Sequence, residues 1–227
     1  MAEATTDIRS DFSVTPLVRD TMQERVYRQV SDLILDGEIA PGQVVTIQSL
    51  ADAFGVSTMP VREALKRLTA ASALTFVTGR AMGVPRLDRD RLIDLRNVRV
   101  EMEGTAVRWA AERIDEATLE EVRRIFTAMD KAIAAGDVKG FLRGNRAYHF
   151  TIYRASGSPV LVNVIETLWL QISPYFNLLR SSGNYVSSNV RHRTLLRGLS
   201  DHDPETAARA LTDDIDGAFD VLRGLLA

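Results

Sequence analysis

Apolar residues recur every three or four positions along two short segments of the chain, residues 47–54 and 61–68. This spacing places the apolar side chains of each segment on one face of a helix. Gly55 lies between the segments, where a glycine readily adopts the left-handed backbone that ends a helix. Ser57 is expected to cap the second helix, and Pro60 falls in its first turn, where a missing N–H costs little. The pattern predicts a helix–turn–helix whose second helix points these residues outward: Thr58, Met59, Arg62 and Lys66.

The segments on either side complete a winged helix. Residues 18–36 carry an inward helical stripe of Met22, Val26, Val30, Leu33 and Ile34. Residues 74–77 read as a short strand, residues 78–83 as a flexible tip and residues 84–85 as a return strand. Gly79 would let the tip approach a phosphate or the minor-groove floor, with Arg80 supplying charge, although Gly79 is equally explained as a turn glycine.

The remainder of the chain is predicted to be helical. Asp88 can cap a long helix ending near residue 114, whose buried candidates are Leu92, Leu95, Val98, Met102, Val107 and Trp109. A second helix opens with the capping box at residues 118–121 and a third at Asp137. A fourth opens at Ser158-Pro159 and bends at Pro174, and residues 181–188 are expected to form a loop. Residues 189–200 and a last helix from Asp203-Pro204 complete six helices, an antiparallel bundle able to house a ligand.

The predicted fold class is therefore mainly α, an N-terminal winged helix–turn–helix followed by an all-α antiparallel bundle. Three regions follow from it. Residues 1–16 are polar and poorly periodic and are expected to form a disordered arm. Residues 17–87 form the winged helix, and residues 88–227 form the helical domain.

Composition limits the function classes. The chain of 227 residues is 45% hydrophobic and 26% charged, which is typical of a globular protein with a real core. It has neither an apolar run of membrane-spanning length nor a signal-peptide pattern, so we expect a cytoplasmic protein. Cysteine is absent, which excludes disulfides and thiolate ligands.

The distribution of charge is more informative than the net charge of −2. Residues 54–86 contain five basic residues and a single acidic one, Glu63. The basic residues are Arg62, Lys66, Arg67, Arg80 and Arg86. Such a stretch is usually a solvated face. Beside a helix–turn–helix, whose second helix enters the DNA major groove, it favours binding to double-stranded DNA. The expected contacts on that helix are Ser57, Thr58, Met59, Pro60, Arg62 and Lys66.

The run G-V-S-x-x-P-V-R-E-A-L-x-R-L at residues 55–68, with Pro41-Gly42 and the glycine wing, resembles the GntR family of bacterial transcription regulators. The resemblance covers roughly residues 18–86. It implies that Arg62 contacts the DNA backbone or a guanine, with Gln48 and Thr58 at two further contact positions. Those two positions often hold arginine in the family, so this chain has fewer charged contacts.

The helical half resembles the FCD effector domain of one GntR subgroup, and its six helices suit the VanR-like variant better than the seven-helix FadR-like one. The family pattern implies a metal site, which falls here on Asn145, His149, His192 and Asp214. The chain departs from the pattern twice, because asparagine replaces the acid and aspartate replaces the last histidine. The resemblance also turns Arg99 toward the pocket to receive an effector carboxylate.

The residues themselves leave two interpretations of this site open. Asn145 and His149 share one helix face, and two imidazoles, a carboxylate and an amide oxygen suit Zn, Ni, Mn or Fe(II). A lone histidine on a helix is more often structural, and His202 is expected at the surface. Arg99 and Glu103 could equally form an ordinary helix-face ion pair. Tyr148, assigned to the effector site, could instead belong to the core.

Together these features predict a ligand-responsive transcriptional regulator, with repression the commoner mode in the family. It would bind a near-palindromic operator as a homodimer, with half-sites roughly 34 Å apart, and respond to a small organic acid. It is not expected to be an enzyme, because no general base accompanies the histidines. The alternatives are a metal-dependent enzyme with a winged-helix interaction module and a metal-free regulator with structural histidines.

Overall fold

The computed structural model describes residues 21–78 and 81–226. The mainly α fold class is confirmed. The first helices are α1 (Met22–Leu35), α2 (Ile47–Phe54) and α3 (Thr58–Ala70). Gly55 ends α2 in the left-handed conformation, with φ of 64°. Ser57 occupies the N-cap position of α3 but its side chain makes no capping hydrogen bond, so that part of the prediction is wrong.

The wing is a three-stranded antiparallel sheet. Its strands are β1 (Val44–Val45), β2 (Thr75–Thr78) and β3 (Ala81–Gly83), in the order β1-β3-β2. The return strand therefore begins at Ala81, within the segment predicted as a flexible tip, and β1 was not predicted. Gly83 explains the difference: a Cβ there would lie 2.6 Å from the carbonyl oxygen of Gln43. This glycine allows close approach between strands rather than a flexible tip.

Six α-helices follow the wing in the described part of the chain. They are α4 (Arg89–Arg113), α5 (Glu116–Ala134), α6 (Val138–Ala155), α7 (Pro159–Ile172), α8 (Asn184–Ser200) and α9 (Pro204–Leu225). Asp88, Asp137, Ser158 and Asp203 each cap a helix as predicted. The N-cap of α5 is Asp115 rather than Thr118. The Asp115 side chain accepts a hydrogen bond from the backbone N–H of Thr118. None of the described helices is long and apolar enough to cross a membrane.

The segment after α7 differs most from prediction. Pro174 does not merely bend α7, since residues Ser173–Ser182 form a 3-10 helix, and α8 begins at Asn184 instead of near residue 189. The loop prediction for residues 181–188 is therefore wrong for most of that stretch. Asn184 and Ser188 are buried polar residues. Their polarity reflects a polar interior, which a hydrophobic pattern cannot distinguish from an exposed loop.

Some apolar side chains assigned to the core lie on the surface instead. Met22 on α1 is exposed, and on α4 Val98 and Trp109 are exposed while Met102 is half-buried. The other face of α4 carries the buried Leu92, Leu95 and Val107. A 25-residue helix packed on one side leaves an outer apolar stripe that the single chain does not cover.

The two halves of the chain are joined through α1, the wing and the 3-10 helix. Arg146 of α6 pairs with Asp32 and Asp36, at 2.8 and 3.1 Å. Asn177 donates a hydrogen bond of 2.8 Å to the carbonyl of Gly37. The hydroxyl of Tyr175 donates to the carbonyl of Pro85 at the end of the wing. These contacts connect the helical half directly to the DNA-binding half.

A buried ion pair within α4 is hydrogen-bonded to α6. Arg99 Nε lies 2.6 Å from Glu103 Oε1, and Tyr153 donates a hydrogen bond of 2.5 Å to Glu103 Oε2. The Arg99 and Glu103 side chains are only 7% and 1% exposed. Burial would lower the pKa of the Arg99 guanidinium, and the Glu103 carboxylate more than offsets that effect. The pair is thus a buried element of the core rather than an ordinary helix-face contact.

Replacing Glu103 by glutamine should therefore leave a buried, uncompensated guanidinium. We expect Glu103→Gln to lower the free energy of unfolding by about 3–5 kcal/mol, measured by urea denaturation in the presence of a chelator. The control is Asp220→Asn, which breaks the exposed Arg223–Asp220 pair at 2.9 Å and should change stability little. An equally small decrease in the free energy of unfolding in both variants would contradict the claim that burial makes the Arg99–Glu103 pair important for stability.

Candidate DNA interface and metal centre

The outward face of α3 carries most of the predicted DNA contacts. Met59 is 61% exposed, Arg62 is exposed, and the Lys66 side chain is 65% exposed. Lys66 pairs with Glu63 at 2.7 Å within the same helix face. Arg62 has no ion-pair partner in the described part of the chain. Pro60 is half-buried in the first turn of the helix.

A groove of about 580 Å³ brings several predicted contacts together. Gln48 at the start of α2 lies in its wall with Thr58, Arg62 and Lys66 of α3. Gln48 also donates a hydrogen bond of 2.8 Å to Asp52. The wing contributes Phe76, which is 64% exposed and was not singled out from sequence because a strand residue of this type is usually buried.

Other residues of the basic stretch do not reach this groove or are not described. Arg67 turns away toward α1, where it pairs with Glu24 at 2.7 Å and stacks over the ring of Tyr27 at 3.6 Å. Gly79 and Arg80 lie outside the described residues, as does the predicted N-terminal arm. Their predicted roles remain expectations.

A second site lies inside the helical bundle. His149 of α6, His192 of α8 and Asp214 of α9 meet there, and their burial removes them from bulk water. The two Nε2 atoms are 3.0 Å apart. Asp214 Oδ2 lies 3.5 Å from Nε2 of His149 and 3.3 Å from Nε2 of His192. Three of the four predicted ligands therefore converge on one point.

Hydrogen bonds fix which nitrogen of His149 faces that point. Tyr153 gives its only hydroxyl proton to Glu103, so its oxygen can only accept from His149 Nδ1–H, 3.2 Å away. The Nε2 atom of His149 therefore carries the lone pair. This is the usual way in which a neighbouring acceptor orients a metal-binding imidazole.

His192 is oriented by an equivalent chain on the opposite side. Asn189 donates through Nδ2 to Asp130 at 2.5 Å and offers its Oδ1 to His192 Nδ1 at 3.3 Å. Ser188 meanwhile donates to Asp214 Oδ1 at 2.5 Å, which turns Oδ2 toward the imidazoles. Each side chain thus presents one acceptor atom to the shared point.

The protonation states suit a cation. Burial lowers the pKa of His149, which favours the neutral imidazole. Burial would raise the pKa of Asp214, but the adjacent His192 and His149 hold it well below its usual range. Metal binding requires neutral imidazoles and ionised carboxylates. Two imidazole lone pairs cannot bond to each other, so either a proton or a metal cation between them would stabilise the arrangement.

The spacing of these donors also fits a metal ion. Two ligands about 2.1 Å from a tetrahedral zinc ion lie roughly 3.4 Å from each other, close to the three separations of 3.0, 3.3 and 3.5 Å. The His/His/Asp cluster could therefore hold a divalent ion. Asn145 lines the same cavity one helical turn before His149.

The cavity beside this cluster is small. Its volume of about 30 Å³ is close to the share of one water molecule. Phe141, Leu142, Trp169, Phe176 and Leu179 supply its apolar wall, and Arg99, Asn145, Asn184 and Ser188 supply polar groups.

The two predicted effector contacts have different positions. Arg99 lines the cavity but its guanidinium is bound to Glu103. Tyr148 is fully buried outside the lining, and its hydroxyl donates a hydrogen bond of 2.8 Å to the carbonyl of His192. The Tyr148 side chain is thus placed to support the backbone of α8. His202 lies exposed at the α8–α9 turn, as expected, with Nδ1 2.8 Å from the carbonyl of Ala111.

Comparison with known proteins places both halves of the chain. Residues 22–84 match the family described as bacterial regulatory proteins, gntR family, and residues 94–217 match the FCD domain. The FCD match alone covers more than half of the 227 residues. These boundaries include α3 and the wing in one match and the His/His/Asp cluster in the other.

Individual relatives agree. The chain is 29% identical over 180 residues to the HTH-type transcriptional regulator McbR of Escherichia coli, spanning 78% of this chain and 81% of McbR. It is 28% identical over 205 residues to the probable D-xylose utilization operon transcriptional repressor of Paenarthrobacter nicotinovorans, spanning 90% of both. The solved structure of E. coli McbR/YncC superposes with a TM-score of 0.85 at 25% identity, covering 92% of this chain and all of that one.

These relatives are transcriptional regulators, so the alternative of a metal-dependent enzyme is not supported. The exposed helix α3 and the buried polar cluster of the helical bundle agree with the two family matches. The chain belongs to the GntR family of bacterial regulatory proteins and carries the FCD domain, and it is a ligand-responsive, DNA-binding transcriptional regulator.

Proposed function

We propose that the protein is a repressor that reads its operator with Arg62 and the groove around it, and releases that operator when a small organic acid enters the bundle. The observation that carries the DNA-binding role is the joint placement of Gln48, Thr58, Arg62 and Lys66 around one open groove. A helix N-terminus with an exposed arginine is the geometry of major-groove recognition.

Removal of the Arg62 guanidinium tests this role. Arg62→Ala should weaken operator binding by about 1–3 kcal/mol if the side chain makes a bidentate base contact, measured by fluorescence anisotropy at fixed salt. The matched control is Arg124→Ala, which removes the same charge from the exposed face of α5. Equal operator affinity in the Arg62 variant and the wild type would reject the assignment.

The same regulator would act as a homodimer. The exposed stripe of α4, formed by Val98, Met102 and Trp109, has the spacing of a helix–helix interface. Pairing of this stripe with its copy would cover the apolar surface that a single chain leaves open. A dimer also presents two recognition helices to a near-palindromic operator.

For the bundle site, we propose that His149, His192 and Asp214 hold a divalent ion, with Asn145 as a fourth, weaker oxygen ligand. The donor set of nitrogen and oxygen atoms fits Zn, Ni, Mn or Fe(II). A bound ion would supply a Lewis-acidic centre for an effector oxygen. The chain's own contribution is to orient both imidazoles and the carboxylate in advance.

The three histidines of the chain provide a direct test of metal binding. His149→Ala and His192→Ala should each lower metal affinity by at least about tenfold, measured by competition with a chromophoric chelator. His202→Ala should leave that affinity unchanged, because its exposed imidazole lies in the α8–α9 turn. A metal content that is the same in all three variants would refute the site.

The route from this site to the DNA-binding half would be the 3-10 helix. Phe176 and Leu179 form part of the cavity wall, whereas Tyr175 and Asn177 hydrogen-bond to the DNA-binding half. A cavity of about 30 Å³ cannot hold an effector of several heavy atoms without movement of that wall. Displacement of the wall would therefore strain or break the contacts at Gly37 and Pro85.

Disruption of those two hydrogen bonds should uncouple the sites. In the double variant Tyr175→Phe/Asn177→Ala, the change in operator affinity caused by acetate, glycolate or lactate should shrink from the 1–3 kcal/mol typical of allosteric coupling toward zero. Asn163→Ala, on the exposed face of α7, is the control and should keep the wild-type response. A full response in the double variant would exclude this route.

A further inference from the structure

Trp169 carries a buried hydrogen-bond donor that the fold does not use. The residue is 2% exposed, and its indole Nε1 has no hydrogen-bond partner in the described part of the chain. Four other residues in that part also hold a buried polar atom without a hydrogen-bond partner, namely Ser31, Arg91, Ser173 and Arg191. Of these five residues, Trp169 alone lines the cavity beside the His/His/Asp cluster.

The surroundings of the indole favour an anionic guest. Its ring centre lies 5.4 Å from that of His149, and the Arg99 guanidinium carbon lies 5.7 Å from the ring. Phe176 packs edge-on against it at 5.8 Å. The indole therefore stands between a buried positive charge and the histidine cluster, with an apolar wall beside it.

The donor can be satisfied only by a molecule in the cavity, either an ordered water or a ligand that offers an acceptor. Tryptophan can donate but not accept, and a buried N–H without an acceptor is unfavourable. Arg99 already donates hydrogen bonds to Glu103 through Nε and Nη2. Its guanidinium therefore contributes positive electrostatic potential to the site but few free donors for a ligand. An ammonium group would offer no acceptor to the indole.

We propose that Trp169 is the specificity-determining donor of the effector site, and that it binds the carboxylate of the organic acid proposed above. One carboxylate oxygen accepts a hydrogen bond from Trp169 Nε1–H, and the other faces His149, His192 and Asp214. The apolar side chains Phe141, Leu142 and Leu179 limit the rest of the effector to a small group. This inference rests on the proposed effector role of the bundle and adds the residue that selects the ligand.

The test uses the full chain loaded with Zn²⁺ and titrated calorimetrically with acetate, glycolate and lactate. Trp169→Phe keeps a ring in place but removes the N–H, and it should weaken binding of the best carboxylate by about tenfold or more. Zn²⁺ affinity should be unchanged, because Trp169 is not a ligand. Asn163→Ala, on the exposed face of the same helix, is the control and should bind the carboxylate as the wild type does.

A second measurement needs no change at Trp169. The chain has two tryptophans, so an ¹⁵N-labelled Trp109→Phe protein shows a single indole N–H resonance, that of Trp169. Addition of the carboxylate should move its proton resonance downfield, as hydrogen-bond formation requires. An unmoved resonance, equal affinity in Trp169→Phe, or no binding by any of the three carboxylates would overturn the proposal.

Operator binding, measured separately, distinguishes failure of the proposed effector role from failure of the ligand contact assigned to Trp169. Carboxylate binding that depends on Trp169 but leaves operator affinity unchanged would refute the proposed effector role while supporting the ligand assignment. Release of the operator to the same extent, at the same carboxylate concentration, from the wild type and Trp169→Phe would refute the ligand assignment alone.

Discussion

The bundle is organised around two imidazole lone pairs that face each other at 3.0 Å. Neither ring can turn to relieve this contact, because each Nδ1–H is held by a buried partner, Tyr153 on one side and Asn189 on the other. Nitrogen lone pairs held together in this way are stabilised by a proton or a metal cation placed between them. Side chains from α6, α8 and α9 meet at this point, and a small cavity lies beside it.

The charge balance of the interior depends on Glu103. This carboxylate neutralises Arg99, accepts the proton of Tyr153 and, through Tyr153, sets the orientation of His149. Arg99 therefore cannot give its whole guanidinium to an effector without releasing Glu103. A carboxylate released in the interior is costly, so the ligand site gains more from a donor that has no other partner. Trp169 is such a donor.

The sequence predicts the parts of this structure that are encoded locally. Asp88, Ser158 and Asp203 begin helices because a capping side chain acts within three residues. His149 and His192 could be assigned from family spacing, and the structure brings them together. The prediction placed the buried α8 residues Asn184 and Ser188 in a loop, because polar residues are typical both of loops and of polar cavities. Trp109 was assigned to the core because hydrophobicity does not indicate which chain will cover a side chain.

The geometry of the cluster also accounts for the two departures from the family pattern, asparagine at position 145 and aspartate at position 214. Asp214 is the single carboxylate of the cluster in the described chain, and Ser188 holds it so that one oxygen meets both Nε2 atoms. A second carboxylate at position 145, in the same small cavity, would place two negative charges beside one another with little water to screen them. Asparagine there keeps an oxygen donor without the charge, and Arg99 remains balanced by Glu103 alone. A divalent ion bound as proposed would leave the cavity with a net positive charge, which would favour an anionic effector over a neutral one.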